Sequence, residues 1–163
     1  MKSIQRYACA AILILLAACA HSSEAPSAVF DAKAKSQLEL TSMPVYLPAW
    51  IPPLSGPQRP LYASVTLYPQ GYFVSVDPVK NCYGSKSCSF VALTGRSGGE
   101  PVSGGVVQLH DGTNARFVAV PCGVSCTVDS LAWTRNQYTY GVQMKNGDQA
   151  TLLRIADSFV PLN

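Results

Sequence analysis

Seven β-prone segments separated by turn residues most restrict the fold of this chain. They are rich in Val, Tyr, Thr and Phe, and six of them form three pairs joined by short turns. The segments are residues 62–68, 72–76, 89–93, 106–109, 115–120, 128–134 and 138–144. Successive hairpins pair neighbouring strands in an antiparallel manner, so we expect an antiparallel sheet of about seven strands.

A helix is predicted near the end of the chain. Its apolar residues recur at helical spacing, at Leu152, Ile155, Ala156 and Phe159. Asp148 is suited to cap the start of this helix, and Pro161 to stop it. The apolar face should cover one side of the sheet, which makes the predicted fold class α+β.

A Pro-rich segment, residues 44–60, precedes the strands and is called the strap below. Its six prolines exclude a helix or a central strand. The apolar residues between them predict an extended segment packed on the domain, whose aromatic side chains complete the core.

The N-terminal residues have the pattern of an export signal. Lys2 and Arg6 precede an uncharged, Ile- and Leu-rich stretch, residues 8–18, which is too short to span a membrane. The stretch ends in Leu16-Ala17-Ala18-Cys19, which resembles the lipobox of bacterial lipoproteins. The resemblance implies cleavage before Cys19, a diacylglyceryl group on its thiol and a second acylation of its amino group. Two or more acyl chains make such a membrane anchor stable.

The residue after Cys19 indicates which membrane would hold the lipoprotein. Ala20 stands where Gram-negative lipoproteins retained at the inner membrane usually carry Asp, so the resemblance implies the outer membrane, facing the periplasm. Ala18-Cys19-Ala20 also has the small-x-small form of an ordinary cleavage site. Cleavage there would release a soluble periplasmic protein that begins at His21.

The domain organisation follows from these segments. Residues 1–18 are predicted as a signal peptide, 19–43 as a lipid-anchored tether with a short helix at 31–40, and 44–163 as one α+β domain. After cleavage the chain keeps ten Lys and Arg against nine Asp and Glu, so it is nearly neutral. It has no basic stripe of the kind that binds nucleic acid.

Four cysteines remain for the predicted domain. An even number in an exported chain predicts disulfides, and the turn residues between them favour the local pairs Cys82–Cys88 and Cys122–Cys126. A four-cysteine zinc site is the rival interpretation, which the spacings C-x5-C and C-x3-C disfavour. No metal or cofactor is expected.

The chain carries few residues suited to catalysis. His110-Asp111 is the one candidate acid/base pair, and it falls in a predicted hairpin turn. The favoured interpretation is that Asp111 serves the turn and His110 is solvated. Trp50, Trp133 and the eight tyrosines are suited either to stacking on sugars or, by the favoured interpretation, to packing in a small core.

Several segments together resemble an uncharacterised envelope domain. They are Val45–Pro52, Trp133, Tyr138-Thr139-Tyr140 and Leu152–Ser158, although Asn136-Gln137 stand where that pattern has Gly. The resemblance implies a fold and a location but no activity. Because the sequence offers no set of nucleophile, base and orienting group, we expect a non-enzymatic domain that binds an envelope protein or cell-wall component. The alternatives are a binder of lipid or another apolar ligand between sheet and helix, and, less favoured, a small hydrolase that uses His110.

Overall fold

A computed structural model of the protein describes residues 25–56, 59–82, 88–99, 103–119 and 128–162. In chain order the elements are α1 (Ala32–Leu38), β1 (Tyr46–Pro48), β2 (Tyr62–Tyr68), β3 (Gly71–Asp77), β4 (Val91–Ser97), β5 (Gly105–Gln108), β6 (Asn114–Val118), β7 (Val128–Arg135), β8 (Tyr138–Lys145), α2 (Gln149–Asp157) and β9 (Phe159–Pro161). The predicted fold class is confirmed, because seven of the strands form one antiparallel sheet and α2 packs on it.

The sheet consists of two meanders placed side by side. Its strand order is β2-β3-β4-β8-β7-β6-β5, so β2–β4 and β5–β8 meet where β4 pairs with β8. The three hairpins predicted from the sequence are β2–β3, β5–β6 and β7–β8. A two-residue turn joins β7 to β8, where Asn136 and Gln137 both have positive φ, as a type I′ hairpin turn requires.

β4 differs from its predicted range of 89–93. It runs from Val91 to Ser97, so Arg96 and Ser97, beyond the predicted end, also pair with β8. Gly95 lowers the strand propensity of this segment, because glycine has no side chain to pack against neighbouring strands. In the structure the Tyr72 ring lies over Gly95, where a Cβ atom would have to be.

The C-terminal helix begins where the sequence indicates and ends earlier. The Asp148 side chain accepts a hydrogen bond from the Thr151 N–H at 2.6 Å and caps α2. The prediction that the helix continues to Phe159 and stops at Pro161 is wrong. Residues Phe159–Pro161 form β9, which pairs with β1 of the strap, and this distant partner leaves no local signal in the sequence.

The strap is held against the sheet by two buried tyrosines. The Tyr72 hydroxyl donates to the Tyr46 carbonyl, and the Tyr140 hydroxyl donates to the Pro44 carbonyl, both at 3.0 Å. Burial raises the pKa of Tyr140 to about 12 and that of Tyr72 further still, so both hydroxyls remain protonated donors at neutral pH.

One face of the sheet carries the core. Its buried side chains are Tyr72, Val74, Val76, Val91, Leu93, Leu131, Trp133, Tyr140 and Val142. Leu152 and Ile155 of α2 pack there, as do Leu47 of the strap and Phe30, Leu38 and Met43 around α1. The region that we assigned to the tether thus contributes α1 and its neighbours to the core.

No helix of the described residues is long and apolar enough to cross a membrane.

Candidate functional site

His110 lies in the β5–β6 turn, as the sequence indicates, and the groups around it have structural partners. The His110 backbone N–H donates to one carboxylate oxygen of Asp157 at 2.7 Å, a contact that joins the turn to the end of α2. The Asp111 carboxylate accepts from the Thr113 N–H at 2.9 Å and pairs with Arg135 at 2.6 Å. These bonds hold the pKa of Asp111 below its usual value.

The cavity at this turn is small. It measures about 80 Å³ between the turn and the end of α2, whereas small-molecule sites typically measure about 300–1,000 Å³. Both carboxylates therefore serve to fix the turn and to join it to α2 and β7.

We expect His110→Ala to change the free energy of unfolding by less than about 0.5 kcal/mol, because it keeps the backbone N–H and removes an exposed imidazole. Asp111→Ala is the matched variant, since it removes the acceptor of the Thr113 N–H and the partner of Arg135. It should cost about 1 kcal/mol. Urea unfolding of the three proteins measures both effects. A larger loss in His110→Ala than in Asp111→Ala would contradict this assignment.

The structure describes two of the four cysteines of the predicted domain. Cys82 and Cys88 form the predicted local disulfide, with Cα atoms 6.0 Å apart, in the connection between β3 and β4. This bond removes both thiols from any zinc site. Cys19, Cys122 and Cys126 lie outside the described residues. Within those residues, no three His, Cys, Asp or Glu side chains come together in a way that could hold a metal ion.

The two tryptophans do not form a sugar-stacking platform. Trp133 is 2% exposed and packs edge-on against Phe159, with ring centroids 4.9 Å apart. Trp50 is half-buried, and the Arg154 guanidinium lies 3.9 Å from its ring centroid. Both side chains are occupied by the core and its border, as the favoured interpretation of the aromatic residues expects.

A groove between α1 and β2 is the feature that the sequence does not indicate. It has a volume of about 350 Å³, which falls within the range of ligand sites. Ala34 and Gln37 line it from α1, and Ala63 and Val65 line it from β2. The groove is formed by segments that are distant in sequence, so neither segment alone predicts it.

The charged residues of this groove are mainly cationic. Lys33 lines it from α1 and Lys80 from the segment after β3, and both are exposed. Asp31 lines it too, and one of its carboxylate oxygens accepts the Ala34 N–H at 2.8 Å as the N-cap of α1. The two ammonium groups are therefore available to an anionic partner.

The chain matches no protein-family model, no curated protein and no solved structure.

Proposed function

We propose that the protein is a lipid-anchored envelope lipoprotein whose folded domain binds another envelope component and catalyses no reaction. The observation that carries the proposal is the Leu16-Ala17-Ala18-Cys19 run at the end of a short apolar segment. Lipid on Cys19 then holds the domain at a membrane, and the proposed location is the outer membrane, facing the periplasm.

The disulfide supports export. Structural disulfides persist in oxidising compartments such as the periplasm and are rare in the cytosol. Cys82 and Cys88, between β3 and β4, form such a bond.

The geometry favours binding over catalysis. Asp111 and Asp157, which line the cavity beside His110, accept hydrogen bonds from the main chain, and Asp111 also pairs with Arg135. By contrast, the α1–β2 groove offers an open, ligand-sized surface with two cations. The proposed partner is an envelope protein or a cell-wall component.

The alternative of an apolar ligand between the sheet and α2 has less support. Leu152 and Ile155 of α2 are fully buried against Leu131 and Val142 of the sheet, so side chains fill that space. A ligand there would have to displace close-packed core residues.

The proposal is tested by replacing Cys19. In cells fed a labelled fatty acid, the natural chain should carry label and sediment with the membranes, because the Cys19 thiol is the acylation site. Cys19→Ala should carry no label and should leave the membrane fraction or remain unprocessed. Cys82→Ala is the control, since it removes another cysteine and should leave the label in place.

Two results would count against the anchor. Label that persists in Cys19→Ala would contradict the lipoprotein assignment. An unlabelled natural protein that begins at His21 would support the alternative, a soluble periplasmic protein.

A further inference from the structure

The sheet has two edges, and they differ in how well they are protected. β5 is a four-residue edge strand that begins with Gly105, and shortness is one of the devices that limit edge pairing. β2 is a seven-residue edge strand, Tyr-Ala-Ser-Val-Thr-Leu-Tyr, with no charged residue, proline or glycine. It pairs with β3 without interruption, so no bulge turns its free edge aside.

The outward main-chain groups of β2 can be assigned from its register. Tyr68 and Gly71 flank a two-residue turn and form a hydrogen-bonded pair, and such pairs alternate with open ones along an antiparallel ladder. Ala63, Val65 and Leu67 therefore point their N–H and C=O groups away from β3. Outside the strand pairing, no main-chain hydrogen bond of the described residues involves these three.

The free edge and the groove coincide. The groove floor follows β2 from Leu61 to Val65, and α1 forms its far wall. A strand laid along β2 would bond the outward main-chain groups and place alternate side chains in the groove, as in binding by strand addition.

The charges indicate what kind of strand fits. Lys33 and Lys80 favour acidic side chains at the groove. They disfavour a second copy of this chain, because edge-to-edge pairing of two β2 strands would place two cationic grooves beside one another.

We infer that β2 and the α1–β2 groove bind an extended, acidic segment of a partner protein by strand addition. The inference rests on the proposed binding function and names the class of its partner. Main-chain hydrogen bonds along the β2 edge hold the segment, and Lys33 and Lys80 select acidic residues among its side chains.

The test uses the full-length lipoprotein in detergent micelles. The probe is a fluorescein-labelled peptide in which valine and glutamate alternate over seven residues, the length of β2. Fluorescence anisotropy should show that it binds at least about tenfold more tightly than the same peptide with lysine in place of glutamate. N-methylation of alternate residues of the peptide should abolish binding, because it removes the donors to β2.

Charge reversal in the protein tests the role of the groove. In the Lys33→Glu/Lys80→Glu variant the preference should invert in favour of the lysine peptide. Lys35→Glu is the matched control, because Lys35 is on the same helix but does not line the groove. It should leave the preference unchanged. Hydrogen exchange should slow at Ala63, Val65 and Leu67 when the glutamate peptide binds.

Four results would overturn the inference: no binding of the glutamate peptide, equal binding of both peptides, indifference to N-methylation, or protection confined to β5. A concentration-dependent dimer with a protected β2 edge would also overturn it in favour of a second copy. None of these affects the lipid anchor, and partner binding through another surface would leave the proposed function standing.

Discussion

Trp133→Ala is expected to lower the free energy of unfolding by about 3–5 kcal/mol, the range for truncation of a buried aromatic residue. Trp133 is 2% exposed, and its ring contacts Phe159 of β9 and Tyr140 of β8. Its removal leaves a cavity where the sheet, the paired strands β1 and β9, and α2 meet. Domains of this size have a stability of about 5–15 kcal/mol, so a large part of the total is lost.

Chemical denaturation measures the effect, and Trp50→Ala is the matched control. Trp50 is half-buried and contacts Arg154 at the border of the core, so its truncation should cost less. If Trp50→Ala destabilised the protein as much as Trp133→Ala, the placement of Trp133 at the centre of the core would be wrong.

Gly95→Ala is expected to cost about 1–3 kcal/mol, although it adds only one methyl group. The new Cβ atom would lie well inside van der Waals distance of the Tyr72 ring. Tyr72 is buried and donates to the Tyr46 carbonyl, so movement of the ring would strain or break this hydrogen bond to the strap. The substitution should therefore weaken the packing of β1 as well as the β3–β4 pair.

Gly105→Ala is the control for this experiment. Gly105 also lies in a strand, but the nearest heavy atom to its added Cβ atom is 3.8 Å away, an ordinary contact. It should change stability by less than about 0.5 kcal/mol. Thermal unfolding of both variants decides the matter, and equal stability of the two proteins would contradict the close approach of Tyr72 to Gly95.

Elements with local signals were predictable from the sequence. The range of β2 agrees with its predicted range, and β7 and β8 each differ from theirs by a single residue. The reason is that the alternation of apolar and polar residues and the turn residues at the strand ends can both be recognised within a few neighbouring positions. Asp148 marks the start of α2 because capping depends on a residue and the first turn after it.

Features that depend on distant partners were not predictable. Phe159 fits the helical spacing of α2, yet it lies in β9 because β1 pairs with it from more than a hundred positions away. From the sequence, Gly95 suggests the end of a strand. In the structure it lies within β4, and its lack of a side chain makes room for the Tyr72 ring. The α1–β2 groove has the same origin, since it exists only where Lys33, Ala63 and Lys80 are brought together.

Photo-crosslinking in living cells tests most directly whether this is a membrane-anchored binding domain. A photoreactive residue would replace Leu67, which is 37% exposed on the β2 edge, or Val106, which is 60% exposed on the β5 edge, in the full chain. We expect a discrete adduct in the membrane fraction from position 67. It should be absent from position 106 and lost when Cys19→Ala is added. Adducts from neither position, with the folded protein present at the membrane, would contradict the account.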